Sequence, residues 1–344
     1  MKGRSKVLIA LAVVLALGLG TLSAGLVWFR SQSDPGGEPG APTLVVVPRG
    51  ASAQRIASIL EDQDIVKSAQ AFRLYVRTKG AGPFRSGDYQ LRPRSSFSVL
   101  VKVLEKGPKL VFQRLTIPEG QILTQVAERV ATLPGRSAEK FLEVARSGVV
   151  RSRYQPAGST NLEGLLFPDT YNFQPKDDET AILTRMVETF DTKAAAAGID
   201  DVGQGGLVEP YQAITVASMV EREAKVPSDR GMVARVIYNR LRKGMPLGVD
   251  ATVIYALGRT GEKDLRVLFK DLEIDSPYNT YRVKGVPPGP IAAPGAASLD
   301  AAVSPTPGEW LYYVVVQADG THAFATTLAE HNANIAKAKA NGVR

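Results

Sequence analysis

Between Lys6 and Arg30 the chain carries no charged side chain, and the 23 residues 7–29 are almost all apolar or small. As a helix this run rises about 34 Å, enough to cross a hydrocarbon core of about 30 Å. A cleaved signal peptide is the competing reading. The run is longer than the apolar core of such a peptide, and Leu22-Ser23-Ala24 is a poor match to a small-x-small cleavage site, so an uncleaved single-pass anchor is expected. Lys2, Arg4 and Lys6 precede the run, against Arg30 alone just after it. That asymmetry places residues 1–30 as a cytoplasmic tip and transmembrane anchor, with everything beyond on the outer side of the cell (inner) membrane.

Residues 31–43, SQSDPGGEPGAPT, show no apolar period and are rich in Gly, Pro and Ser, which marks a flexible linker. From Leu44 the composition becomes globular, and the fold class expected is α+β, with a small domain over 44–109 and a larger one over 110–344. In the small domain, 44–47 and Gly87–Leu91 suit strands, and helices are expected over 52–60, after Ser68 and over 96–104. In the larger one the expected pieces are a strand over 110–117, helices over 122–133, 138–145 and 179–197, a central helix pair, a hairpin around Asp319-Gly320 and a last helix over 328–338. Val47-Pro48-x-Gly50 with Ile56-Ala57 recurs as Ile117-Pro118-x-Gly120 with Val126-Ala127. Two copies are too few for a solenoid and read as a reused strand, turn and helix.

Composition removes several chemistries. With no cysteine, disulfides, thiolate metal sites, cysteine nucleophiles and lipid attachment at cysteine are excluded. His322 and His331 are the only histidines and stand in no ligand pattern, so no metal, no cofactor and no serine-histidine triad is expected. The formal charge is +8, and setting aside the four positives flanking the apolar run leaves +4, too little to argue for nucleic acid.

Residues 213–255, AITVASMVEREAKVPSDRGMVARVIYNRLRKGMPLGVDATVIY, carry the most chemistry. At 100° per residue Ala213, Val216, Ala217, Val220 and Ala224 form one apolar face, with Glu221 and Glu223 at its margins and Arg222 pointing away. A half-buried glutamate loses solvation in its charged form and holds a proton near neutral pH, as a general acid must. Glutamates at a helix margin also pair with nearby bases, here Arg222, Arg235 or Arg240, and periodicity does not separate Glu221 from Glu223. Two loops add to this. Residues 161–171, NLEGLLFPDTY, set Glu163 and Asp169 beside Phe167 and Tyr171, a mixture of aromatic faces and acceptors that suits sugar rings and also simply caps cores. Residues 276–295 hold Tyr278-Asn279-Thr280-Tyr281 and a Pro/Gly-rich run with little unfolded entropy to lose, fit for a rigid wall.

Taken together, Glu221-Arg222-Glu223, Asn239-Arg240-Leu241, Gly244-Met245-Pro246-Leu247, Asp250-Ala251-Thr252-Val253-Ile254-Tyr255, the Glu163-Gly164 to Asp169-Thr170 loop and the Tyr-Asn-Thr-Tyr segment resemble the endolytic murein transglycosylases, the MltG or YceG-like family. The resemblance runs from about Leu44 to the end, and 44–109 is similar to the family's lysin-motif-like domain, the alternative being a spacer with no ligand. It implies cleavage of MurNAc–GlcNAc bonds in nascent peptidoglycan strands without added water. The muramic acid's own C6 hydroxyl attacks its anomeric carbon and leaves a 1,6-anhydro end, so the enzyme is a carbon-oxygen lyase and a terminase of glycan elongation. One proton shuttle suffices, with Glu223 expected in that role and Glu221 as runner-up. The implied substrate contacts are Tyr238, Asn239, Arg240, Thr252, Asn279 and Tyr281 with the loop residues Glu163, Asp169 and Tyr171, and Asp250 or Asp169 orienting donors. Glycan strands, the membrane and cell-wall synthases are the implied partners. Two rivals stand beside this: a non-catalytic, membrane-tethered peptidoglycan-binding scaffold for synthases, and hydrolysis with Asp169 or Asp250 as water base.

Overall fold

The computed structural model of the chain describes residues 2–109, 112–203, 206–261 and 266–343. The side chains of Lys2, Arg4 and Lys6, on which the expected orientation rests, and Leu110, where a strand was expected to begin, lie outside the described residues. It is a mixed α+β chain that separates into two units, residues 1–110 and 111–344.

The first unit opens with α1 (Lys2–Ser33), whose stretch Val13–Ser33 is long and apolar enough to cross a membrane. Leu15, Leu17, Leu22, Leu26 and Val27 stand exposed along it, an arrangement that water penalises and hydrocarbon does not. Strand β1 (Thr43–Val47), helices α2 (Ala53–Asp62) and α3 (Ala69–Lys79), strand β2 (Gly87–Leu91) and helix α4 (Phe97–Lys106) follow. Ser52 and Ser68 start α2 and α3 by accepting the N–H groups of Arg55 and Ala71, one helical turn on. β1 and β2 pair antiparallel with Val45 opposite Tyr89 and Val47 opposite Gly87. Alternation sends Val45, Val47, Tyr89 and Leu91 inward, where Phe72 and Phe97 meet edge to face at 5.2 Å.

The second unit runs β3 (Gln113–Thr116), α5 (Leu123–Val130), α6 (Ala138–Ser147), β4 (Thr170–Phe173), α7 (Glu179–Ala196), α8 (Pro210–Glu223), α9 (Arg230–Arg242), α10 (Asp250–Ala256), α11 (Ala296–Val303), β5 (Tyr312–Val315), β6 (His322–Ala325) and α12 (Leu328–Ala340). β3 pairs antiparallel with β4, and β5 with β6. The internal echo reaches further than the motif itself. Gly50 and Gly120 both adopt the left-handed region, at φ 75° and 74°, and each turn leads from a strand into a helix pair and back to an antiparallel partner strand. Phe141, Phe173, Phe190, Met186 and Ile214 are wholly buried in one core to which α5 through α9 and α11 all contribute, each large side chain contributing roughly 1.5–3 kcal/mol.

The 276–295 segment threads across this core without secondary structure because side chains and other loops satisfy its backbone. Ile291 N–H donates to the Ser218 hydroxyl at 3.0 Å, and Ala293 exchanges hydrogen bonds with Gln121 and Gly120 at 2.8 and 2.9 Å. Gly164 lets the 161–169 loop press against it: its φ is +73°, and a Cβ there would lie 2.2 Å from Pro290 Cβ and 2.9 Å from Ala292 O. Gly164→Ala is therefore expected to cost at least about 2 kcal/mol, from the left-handed backbone and the overpacking together. Urea unfolding of the variant against the parent measures it, and an unchanged midpoint would reject it.

Candidate active site

α8 begins with Pro210 at its first position, where the missing N–H costs nothing. The single apolar face expected for it is corrected by the structure, because every residue from Ala213 to Val220 is buried. Its polar members are satisfied inside: Thr215 Oγ1 donates to Tyr211 O at 2.9 Å and Ser218 Oγ to Thr215 O at 2.7 Å. The helix is thus central, and after this buried stretch its last residues, Glu221, Arg222 and Glu223, emerge half-buried before Ala224 turns extended.

The two glutamates meet different fates. Glu221 Oε2 accepts Gly295 N–H at 3.0 Å and the Ser298 hydroxyl at 2.8 Å, so it caps the start of α11. Arg222 does not point away as expected: its Nη1 donates to Gly120 O at 3.1 Å, because the neighbouring loop brings a backbone carbonyl within its reach. Glu223 alone opens into a cavity of about 840 Å³. Its Oε1 accepts Ala251 N–H at 3.3 Å and its Oε2 the Tyr313 hydroxyl at 3.2 Å. Burial first and then the charge of Asp250 push its carboxyl from 4.5 up to about 7, against the opposing pull of these two donors and of Arg222.

Expected residues that share this cavity with Glu223 are Arg240, Asp250 and Tyr281. Arg240 pins two walls together, donating to Leu311 O at 2.6 Å and to Leu247 O at 2.5 Å while its guanidinium lies 5.3 Å from the Tyr312 ring centre. Tyr281 donates to Asp250 Oδ1. That pair is carried by a knot in which the Thr280 hydroxyl accepts Val249 N–H at 2.9 Å and meets the Thr252 hydroxyl at 2.9 Å.

Other expected contacts are built into walls instead. Tyr238 donates to Ala302 O at 2.7 Å, Asn239 to Gly308 O and Trp310 O at 3.0 and 2.9 Å, and Asn279 to Leu272 O and Ile274 O, both at 2.9 Å. With Thr252, all are buried and spend their polar groups on the chain itself. The aromatic loop is corrected too: Phe167 and Tyr171 are buried, and the Tyr171 hydroxyl donates to Phe167 O at 2.7 Å, so neither offers a face to a sugar. Asp169 is exposed and accepts Thr170 N–H at 2.6 Å. Glu163 is sealed in the core, accepting Leu123 N–H at 2.9 Å and the Tyr255 hydroxyl at 3.4 Å.

Cavity residues that sequence reasoning left out are Tyr312, Tyr313, His322 and His331, all from the C-terminal hairpin and helix. His331 stacks on Tyr312 at 5.1 Å. The two adjacent tyrosines ahead of the expected turn at Asp319-Gly320 were the available signal.

A family model described as the YceG-like family matches residues 45–337. The chain is 37% identical over 300 residues to the endolytic murein transglycosylase of Bacillus subtilis (strain 168), covering 83% of this chain and 82% of that protein. It is 30% identical over 322 residues to the endolytic murein transglycosylase of Streptococcus pneumoniae serotype 2, covering 85% of this chain and 58% of that longer protein. A crystal structure of a yceG-like protein from Listeria monocytogenes superposes with a TM-score of 0.57 at 34% identity, over 85% of this chain and 98% of the other.

Burial raises the Glu163 carboxyl from 4.5 to about 7, the Leu123 and Tyr255 donors opposing it. A folded value above the unfolded one gives stability that is complete below about 4.5 and lost as pH rises through about 7. Glu163→Gln, which keeps the acceptor for Leu123, is therefore expected to gain up to about 3 kcal/mol over the parent between pH 5 and pH 8. Denaturant midpoints at the two pH values test this, and equal losses in both proteins would reject it.

Proposed function

This chain belongs to the YceG-like family, and from that premise and the geometry around Glu223 we propose that it is a membrane-anchored endolytic lytic transglycosylase acting on MurNAc–GlcNAc bonds of nascent peptidoglycan strands. The observation that carries the reading is one carboxyl group, held at about 7, that faces a cavity large enough for sugar rings while its neighbour Glu221 is spent on capping a helix.

Glu223, protonated near neutral pH, gives its proton to the glycosidic oxygen as the bond from that oxygen to the anomeric carbon breaks. Positive charge grows on the anomeric carbon, and Asp250, oriented by Tyr281, supplies the compensating negative field. The C6 hydroxyl oxygen of the same muramic acid then bonds to that carbon, and its proton returns to Glu223. No water is consumed, and a 1,6-anhydro end results. Arg240, Thr252, Thr280, Asn239 and Asn279 keep the walls at fixed distances, which such an intramolecular closure needs.

The apolar helix α1 supports a single-pass anchor with the larger unit outside the membrane, and cutting strands there makes the enzyme a terminase beside cell-wall synthases. The small unit, 44–109 in this reading, is a lysin-motif-like domain that holds glycan near the anchor.

With uncrosslinked glycan strands, the parent is expected to release fragments with anhydro ends, and Glu223→Gln to fold normally and release none. Glu221→Gln, which retains an acceptor for α11, is expected to keep activity within about ten-fold. Mass analysis of the products decides the matter: fragments heavier by one water point to hydrolysis, unshortened strands to a binding scaffold, and activity in Glu223→Gln removes that residue from the role.

A further inference from the structure

The proton shuttle must be an acid in one half of the reaction and a base in the other, so whatever holds it must fit both forms. Among the described residues Glu223 has two hydrogen-bond partners on its carboxyl group. The Ala251 N–H at Oε1 is a donor only, and it therefore disfavours a proton on Oε1. The proton of the acid form belongs on Oε2, the oxygen next to the Tyr313 hydroxyl. A phenol both donates and accepts, and of the two partners it alone can turn to suit a carboxylate or a carboxylic acid.

Tyr313 is itself held from behind. On the β5–β6 hairpin it lies diagonal to His322, whose ring meets it edge to face at 5.4 Å, and Phe324 completes the cluster at 6.2 Å from Tyr313. His322 is buried and doubly fixed: its backbone N–H donates to Asp229 Oδ2 at 2.8 Å and its Nδ1 lies 3.0 Å from the same oxygen. Since the carboxylate only accepts, the proton sits on Nδ1. Asp229 is equally buried and sits at the foot of α9, so the pair clamps the hairpin to the helix that follows α8.

Resting on the assignment of Glu223 as shuttle, we infer that Tyr313 is a positioning residue that serves both protonation states of Glu223, and that the Asp229–His322 pair is the brace that keeps its hydroxyl in reach. The groups facing Glu223 are Arg222 on its own helix, Asp250 and the Ala251 N–H on α10, and Tyr313 on β5. Arg240 on α9, Tyr281, Tyr312 on β5, His322 on β6, and His331 and Lys339 on α12 line the same cavity.

The test uses the full chain on glycan strands over a range of pH. Tyr313→Phe keeps the ring and its packing and removes only the hydroxyl. It is expected to lower kcat about ten-fold or more, the effect of losing a hydrogen bond to a charged group. KM is expected to stay within about two-fold. Activity requires the acid form, so the rate falls as pH rises through the value of Glu223. Tyr313 favours the charged form, and its loss moves that fall to higher pH. Asp229→Asn, close to isosteric, is expected to lower kcat in the same sense. Parental kcat in either variant overturns the inference, as does a loss of rate in Tyr313→Phe with the pH profile unmoved. An active Glu223→Gln would instead sink the shuttle reading itself.

Discussion

The chemistry proposed for this chain turns on the desolvation of one carboxyl group at the end of a buried helix. Glu223 is the last residue of α8, where the helix leaves its unpaired carbonyls and the negative end of its dipole. Both disfavour a carboxylate, and burial and Asp250 act in the same direction. Against them stand two hydrogen-bond donors and Arg222. The balance leaves a group that can hold a proton and also part with it near neutral pH, which neither a fully solvated nor a fully sealed glutamate does as well.

Glu163 shows why a raised value alone does not make a catalyst. Its carboxyl is pushed up to about 7 as well, by burial. It is sealed under the 161–169 loop among Leu123 and Tyr255, and it does not line the cavity that Glu223 faces. Access, not desolvation, separates the two, and access depends on where the surrounding loops go. The loop that carries Glu163 packs at Gly164 directly against Pro290, while Gly248 and the C-terminal hairpin line the cavity that Glu223 faces.

The walls of the cavity come from distant parts of the sequence held at contact distance. Arg240 joins Leu247 to Leu311, Thr252 joins Thr280, and Asp229 joins His322. Each link uses a buried or half-buried polar group paired with backbone or with another side chain. Such links are costly to leave half made, so they specify one arrangement of the loops rather than several.

Local order set much of this chain's organisation. The uncharged run, the serines that begin α2 and α3, the repeated Pro-x-Gly turn and the hairpin around Asp319-Gly320 are all matters of neighbours within a few residues, where periodicity and turn chemistry act. The motif around Glu221 and Glu223 was legible too, as a place. Which glutamate faces the cavity was not, because each lies at a margin of the same helix face and the deciding contacts are Gly295 and Ser298 for one, Ala251 and Tyr313 for the other. The same holds for Tyr238, Asn239 and Asn279, whose polar ends are consumed by carbonyls far along the chain. Residue types and spacing determined that a carboxyl group, its helix and a rigid loop would be present. Only the tertiary structure decided which side chain is left open to a ligand, because hydrogen-bond partners remote in sequence claim the others first.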